Sequence, residues 1–185
     1  NISVGAVNVD SAWSTGFNNF IFNTELFPDP KGLIDSVHGN GQRIVLWVTS
    51  MINTDSSNYA EAVANNYVFN KTLSWWHGEG RLVDFGNPEA VAWLEKQIDE
   101  NLFAKYGCTD GWKVDGVDPY IIEIWNSSWT WRKYADDYYG FFLNYTRSRC
   151  GNSSLIMSRP CDCVPPGGID HTGICPIHLP FAPRS

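Results

Sequence analysis

The order of hydrophobic and polar positions along the chain predicts four strands that alternate with three helices. Short runs that are apolar on both faces predict strands at Val4–Asp10, Arg43–Thr49, Asp110–Asp115 and Ser154–Arg159. Apolar residues at three- and four-residue intervals predict helices at Pro28–His38, at 88–102 behind an Asn87 cap, and at Trp131–Arg147. This alternation is typical of a parallel α/β sheet with right-handed crossovers.

We interpret the pattern as part of a (β/α)8 TIM barrel, with about four strands and three main helices of a catalytic barrel. Residues 1–159 would form this part, and residues 160–185, rich in Cys and Pro, would form a loop leading toward the next barrel strand. A doubly wound open sheet is the alternative, but no glycine-rich phosphate loop follows the first strand. The segment Ser50–Phe85 has weak periodicity and predicts an extended loop over the active face.

Polar residues fall at the same place in each predicted strand, its C-terminal end. They are Asp10, Thr49, Asp115 and Arg159. Because catalytic residues of parallel α/β barrels lie at the C-terminal ends of the strands, this placement predicts one shared site.

The third strand carries the clearest candidate for chemistry. Alternation puts Lys113 and Asp115 on one face, with Trp112 and Val114 on the other, and Gly116 ends the strand after Asp115. A carboxylate near a cation stays ionised and can attack an electrophile. Asp115 could instead be an Asp-Gly turn residue, and Lys113 could be only its ion-pair partner.

Composition narrows the possible functions. The chain has 185 residues, a net charge of −7 and no cluster of Lys and Arg, which disfavours a nucleic-acid partner. Aromatic residues make up 15%, with 9 Trp, which suits stacking on sugar rings although most will be core. The apolar runs are too short for a membrane span.

Sequons and cysteines together indicate the secretory pathway. Five asparagines occupy N-glycosylation sequons: Asn1, Asn70, Asn126, Asn144 and Asn152. Four cysteines cluster near the C-terminal end, at positions 150, 161, 163 and 175, with Cys108 upstream. We expect disulfides among them in an oxidising compartment, because their spacing with the nearby histidines matches no standard zinc module. No metal and no cofactor are expected.

Five segments in order resemble glycoside hydrolase family 31. They are Val7-Asn8-Val9-Asp10, Phe27-Pro28-Asp29-Pro30, Arg43-Ile44-Val45-Leu46-Trp47-Val48, Val83-Asp84-Phe85-Gly86-Asn87-Pro88-Glu89-Ala90 and Trp112-Lys113-Val114-Asp115. The spacing of Lys113, Asp115 and Asp118 resembles the branch that contains α-xylosidases and the myogenesis-regulating glycosidase. The run Trp75-Trp76-His77-Gly78-Glu79-Gly80 adds to this likeness; its two Trp residues could be loop core or a sugar platform.

The resemblance implies a retaining glycosidase for terminal α-linked sugars. Asp115 would be the nucleophile, Asp10 and Arg159 would bind sugar hydroxyls, Trp47 would form part of the floor, and Lys113 would orient Asp115 and reach a hydroxyl.

The family's acid/base, an Asp in a Trp-x-Gly-Asp-like segment, does not occur before Ser185, so we expect the remainder of the barrel to supply it. The alternative is a non-catalytic, glycosidase-derived structural or carbohydrate-binding glycoprotein, and the identity of the sugar stays open.

Overall fold

The architecture comes from a computed structural model, which describes residues 4–115 and 131–158. Its strands in these ranges are β1 (Ala6–Val9), β2 (Arg43–Thr49), β3 (Met51–Asn53), β4 (Leu73–Trp75), β5 (Gly78–Leu82), β6 (Gly111–Asp115) and β7 (Leu155–Ser158). Its helices are α1 (Pro30–Gly39), α2 (Tyr59–Ala64), α3 (Pro88–Ile98), α4 (Ala104–Tyr106) and α5 (Trp131–Cys150). A π-helical turn, Asp99–Phe103, joins α3 to α4.

The main sheet confirms the predicted parallel α/β arrangement. Its strand order is β1-β2-β6-β7, and every neighbouring pair is parallel. In this register Trp47 lies opposite Lys113, and Thr49 lies opposite Asp115. Since α1, α3 and α5 connect successive strands, the described residues form part of a barrel wall.

Side-chain caps fix where two of the helices begin. The Asp29 carboxylate accepts a hydrogen bond from the Gly32 N–H at 2.9 Å, so α1 begins at Pro30, two residues later than predicted. Asn87 caps α3 as predicted, with its side-chain oxygen accepting from the Glu89 N–H at 3.0 Å. Each cap satisfies an N–H group that the first helical turn leaves without a backbone partner.

The prediction of an extended loop over residues 50–85 is wrong. This segment contains the helix α2 and an antiparallel sheet of order β3-β5-β4. The strands are only three to five residues long, too short for a periodic signal. Gly80 on β5 reflects close packing, because a Cβ there would lie 2.8 Å from the Ile52 carbonyl oxygen.

The outer side of the main sheet packs against α5. The predicted apolar stripe of this helix is buried, at Tyr134, Tyr138, Phe141, Phe142 and Tyr145. Trp112 of β6 points to this side and is fully buried, and its indole N–H donates to the Thr146 hydroxyl at 2.6 Å. The opposite face of β6, which carries Lys113 and Asp115, is therefore free to build the site.

A disulfide joins Cys108, just before β6, to Cys150 at the end of α5. It confirms that Cys150 is disulfide-bonded and pairs it with Cys108. The other predicted disulfide cysteines, Cys161, Cys163 and Cys175, lie outside the described residues. Within ranges 4–115 and 131–158, no helix has the length and apolarity needed to cross a bilayer.

Candidate active site at the strand ends

Four of the predicted site residues lie together at the C-terminal ends of β1, β2 and β6. Asp10 directly follows β1, Trp47 belongs to β2, and Lys113 and Asp115 belong to β6. Two side-chain hydrogen bonds connect them across the sheet, one from Trp47 to Asp115 and one from Lys113 to Asp10. Asp10 and Asp115, two of the four polar residues expected to share a site, thus lie at the same edge of the sheet.

Asp115 is buried, with 8% of its surface exposed, and is held from two sides. The Trp47 indole N–H donates to its Oδ2 at 3.1 Å. The Tyr138 hydroxyl contacts the Asp115 carbonyl at 3.1 Å and the Val48 carbonyl at 3.3 Å, which ties α5 to the ends of β2 and β6. This arrangement limits movement of the carboxylate and leaves it beside the strand-end opening.

Trp47 is itself fixed, because its ring is 3% exposed and its carbonyl accepts from the Trp13 indole N–H at 2.7 Å. A donor anchored in this way holds the Asp115 oxygen in one position. The structure thus gives Trp47 a role that sequence reasoning missed, since the prediction placed it only in the floor of the site.

Asp10 forms the second part of the site and accepts three hydrogen bonds. They come from Lys113 Nζ at 2.5 Å, the Ser11 N–H at 2.9 Å and Asn8 Nδ2 at 3.0 Å. Burial acts to raise the pKa of Asp10, but these donors together hold it below its ordinary value. Asp10 therefore stays ionised, and its side chain remains half exposed.

The position of Lys113 changes one expectation. Sequence reasoning gave Lys113 the task of orienting Asp115, yet its ammonium donates to Asp10, and the hydrogen bond to Asp115 Oδ2 comes from Trp47. The reason is the register: Val9 lies opposite Leu46, so Asp10 falls level with Trp47 and Lys113 on neighbouring strands.

The β4–β5 hairpin adds an aromatic wall beside these residues. It also distinguishes Trp75 from Trp76, each of which could be core or a sugar platform on the sequence alone. Trp75 belongs to the core beneath the hairpin and not to a loop: it lies on β4, is 8% exposed, and its indole N–H donates to Asn53 Oδ1 at 2.9 Å. Trp76 is 59% exposed and meets Trp47 edge to face, with ring centroids 6.3 Å apart. Trp76 is therefore the member of the pair available to a ligand.

His77 and Phe17 complete this wall, and no sequence signal singled out Phe17. Their ring centroids lie 4.7 Å apart, and the His77 ring also packs 3.5 Å from that of Trp76. Burial lowers the pKa of His77, against the opposing charge of Asp10, which favours a neutral imidazole. A cavity of about 260 Å³ borders the wall, lined by residues that include Ser11, Asp55 and His77.

The remaining predicted substrate-binding residue, Arg159, lies outside the described residues, as does Asp118 of the family motif. In the described part of the chain, no group of three or more His, Cys, Asp or Glu side chains is placed to hold a metal ion.

Three of the predicted glycosylation sites, Asn70, Asn144 and Asn152, are exposed. The other two, Asn1 and Asn126, fall outside the described ranges.

A wall of parallel strands alternating with helices defines the class as part of a TIM-barrel domain. The chain belongs to glycosyl hydrolase family 31, because the family model "Glycosyl hydrolases family 31 TIM-barrel domain" matches residues 1–153.

Known relatives agree with this assignment. The mouse (Mus musculus) myogenesis-regulating glycosidase is 27% identical over 110 residues, covering 56% of this chain and 15% of the relative. Alpha-xylosidase XylQ of Lactiplantibacillus pentosus is 29% identical over 105 residues, covering 52% and 14%. A crystal structure of a GH31 alpha-xylosidase from a soil metagenome, complexed with xylose, has the same fold, with a TM-score of 0.70 at 17% identity over 83% of this chain and 24% of that one. The chain thus spans about one seventh of the length of these curated relatives.

Proposed function

We propose that the full-length protein is a retaining glycoside hydrolase for terminal α-linked sugars, with Asp115 as its nucleophile. The observation that carries the proposal is the buried Asp115 carboxylate, held by Trp47, beside the partly exposed Lys113–Asp10 pair. Family membership supports glycosidase chemistry, and the relatives named above include a glycosidase and xylosidases.

In the proposed first step, an Asp115 oxygen attacks the anomeric carbon as the bond to the leaving-group oxygen breaks. That oxygen takes a proton from a carboxylic acid supplied by the remainder of the barrel, about 5–5.5 Å from Asp115. The same acid, now a carboxylate, then removes a proton from water. The water oxygen bonds to the anomeric carbon and displaces Asp115, which releases the sugar.

The other strand-end residues would bind the sugar in the cleaved position. The Asp10 carboxylate accepts hydrogen bonds from hydroxyls, and the Lys113 ammonium donates to another hydroxyl. Trp47 would form part of the floor, with Trp76 as an exposed ring at the rim, and Arg159 would add a hydroxyl contact. The Lys113–Asp10 pair supports this role because the two groups are already held together at the strand ends and both side chains keep exposed surface.

The five sequons and the disulfide favour a secreted or lumenal glycoprotein, with the remainder of its barrel supplied by the same protein. This proposal is tested by expressing the full-length gene from its native start codon and locating the product.

The decisive experiment compares Asp115→Asn with Asp110→Asn in the full-length protein. Asp115→Asn should reduce hydrolysis of aryl α-glycosides by about 10⁴-fold or more, because the covalent intermediate cannot form. Asp110 lies at the other end of β6, where its carboxylate accepts from the Ile44 N–H at 2.8 Å and contacts His38 at 2.7 Å. Asp110→Asn should lower the melting temperature and leave kcat nearly unchanged.

A panel of fluorinated glucosyl, galactosyl and xylosyl fluorides would trap the intermediate and identify the sugar. Peptide mass mapping should then find the label on Asp115. Label on a different carboxylate would refute the assignment. Sugar binding by calorimetry without any turnover would instead support the non-catalytic carbohydrate-binding alternative.

A further inference from the structure

A groove on the outer surface, between α3 and α5, is separate from the strand-end site. It has a volume of about 340 Å³. Its lining residues are Phe85, Val91, Glu95, Asp136, Asp137, Gly140, Phe141, Asn144 and Tyr145. The groove thus combines aromatic and aliphatic side chains with three carboxylates and one sequon asparagine.

The asparagine in this groove is Asn144, which is exposed although its sequon threonine is not. Thr146 is fully buried and its hydroxyl accepts from the Trp112 indole N–H. An enzyme that must recognise the Asn-x-Thr sequence cannot reach Thr146 in the folded protein. Any glycan on Asn144 is therefore added before α5 packs against the sheet, and the folded structure must accommodate it.

One turn before Asn144, the helix carries a glycine that packing within the chain does not explain. Glycine in a helix interior costs about 1 kcal/mol relative to alanine. A Cβ built on Gly140 would meet only the Asn144 amide nitrogen, at 3.9 Å. The missing side chain therefore leaves open space beside the Asn144 amide nitrogen, in the groove that both residues line.

The walls of the groove have the chemistry that binds a sugar. Phe141 and Tyr145 lie nearly parallel, 5° apart in plane, with ring centroids separated by 5.9 Å, and each keeps 9% of its surface exposed. The exposed part of each ring, where it lines the groove, offers apolar contact to a pyranose. Glu95 and Asp136 at the edge can accept hydrogen bonds from its hydroxyl groups.

We propose that this groove seats the first N-acetylglucosamine of an N-linked glycan on Asn144. The donor is a lipid-diphosphate oligosaccharide of the secretory pathway. The Asn144 amide nitrogen loses a proton and bonds to sugar C1 as the bond from C1 to the diphosphate oxygen breaks. This inference rests on the proposed secretory localisation and is independent of the glycosidase chemistry.

The test expresses the full-length protein in a secreting animal cell line behind a leader peptide. Site-resolved mass spectrometry follows enzymatic glycan release from native and denatured protein. Asn152, exposed in the turn after α5, is the matched control. Asn144 should be occupied, and native-state release should be about five- to tenfold slower at Asn144 than at Asn152, with equal rates after denaturation.

Gly140→Leu fills the groove and should raise the native release rate at Asn144 to that at Asn152. If this variant fails to fold, Glu95→Gln, which keeps the Glu95 carbonyl that accepts from the Tyr145 hydroxyl, should give a partial increase. If Asn152 carried a glycan and Asn144 did not, the proposal for the groove would be overturned and the secretory localisation would stand. Equal native release at the two sites would also overturn the proposal for the groove, and absence of glycan from every sequon would overturn the secretory localisation as well.

Discussion

The indole N–H groups of Trp47 and Trp75 donate hydrogen bonds to different kinds of partner. Trp47 donates to the Asp115 carboxylate, and Trp75 donates to the Asn53 amide oxygen on β3. Both rings are buried, so substitution by Phe removes the donor and keeps most of the packing. The partner therefore decides whether the variant affects catalysis or stability.

Trp47→Phe should lower kcat about ten- to hundredfold, since a hydrogen bond to a charged group contributes about 1.5–3 kcal/mol. Trp75→Phe should lower the melting temperature and leave kcat within about twofold, because Asn53 belongs to the hairpin sheet. Steady-state kinetics and thermal unfolding of the full-length protein measure both quantities. Equal loss of kcat in the two variants would show that the hydrogen bond to Asp115 has no special role.

The Lys113–Asp10 pair predicts a dependence of stability on pH. Because the folded-state pKa of Asp10 is lowered, its stabilisation is present above the unfolded pKa of about 3.9 and is lost as pH falls through the folded value. Lys113→Met should destabilise by about 1 kcal/mol or less near neutral pH, because Asp10 is half exposed. The difference from wild type should shrink on acidification.

Urea unfolding at about pH 7 and about pH 3 measures this difference. Lys31→Met is the control, since it removes an ion pair to Asp35 in which both side chains are about 60% exposed and solvent screens the attraction. A Lys113→Met difference that stayed constant across this range would contradict the assignment.

At the scale of elements, a buried hydrogen bond joins β6 to α5 through Trp112 and Thr146. Thr146→Val leaves the indole N–H without an acceptor in the core and should cost about 1–3 kcal/mol. Thr146→Ser keeps the hydroxyl and should cost less.

Because Thr146 belongs to the Asn144 sequon, the comparison is made in an Asn144→Gln background, where no glycan can attach. Urea unfolding gives the free energies. A loss for Thr146→Val no larger than that for Thr146→Ser would show that this hydrogen bond contributes no more to stability than the methyl group that Ser lacks.

The sequence predicted the elements whose pattern is long and consistent. β2 was predicted to the residue, because all of its positions after Arg43 are buried and the run Ile44–Val48 is apolar on both faces. The hairpin sheet was missed because its strands are short and β5 is polar and glycine-rich, so pairing with β3 and β4 stabilises it rather than any local pattern.

The sequence predicted which residues lie at the strand ends, but it paired Lys113 with Asp115, whereas Lys113 donates to Asp10. Alternation along β6 placed Lys113 and Asp115 on one face, and strand ends supplied Asp10. Which donor serves which carboxylate depends on register between strands, and Asp10 and Lys113 are 103 residues apart in sequence. No local pattern carries that information.

At the scale of the whole molecule, the main sheet has two edge strands in the described part of the chain. β1 pairs with β2, and β7 pairs with β6, each along one side. We propose that the remaining barrel strands pair with these edges in the full-length protein, because unpaired edges associate with other chains.

Residues 1–185 produced alone should therefore self-associate, while the full-length protein should be monodisperse by size-exclusion chromatography with light scattering. Met157→Lys, on the β7 edge where Met157 is 40% exposed, should reduce association of the isolated chain. Leu26→Lys is the control, because Leu26 is 60% exposed but lies outside the sheet. A monomeric isolated chain would contradict the open-edge interpretation.

The single residue between β2 and β3 affects how the hairpin that carries the aromatic wall moves relative to the main sheet. Only Ser50 separates the strand that carries Trp47 from the hairpin sheet, and Asn18 donates to the carbonyls of Thr49 and Met51 on either side of it. The sheet of β3, β5 and β4 is therefore attached directly to β2, with no flexible linker between them. Amide protons of the hairpin and of β2 should then open as one cooperative unit. Under the proposed function, substitutions at the exposed Trp76 should therefore alter which sugars fit without loosening the Asp115 carboxylate.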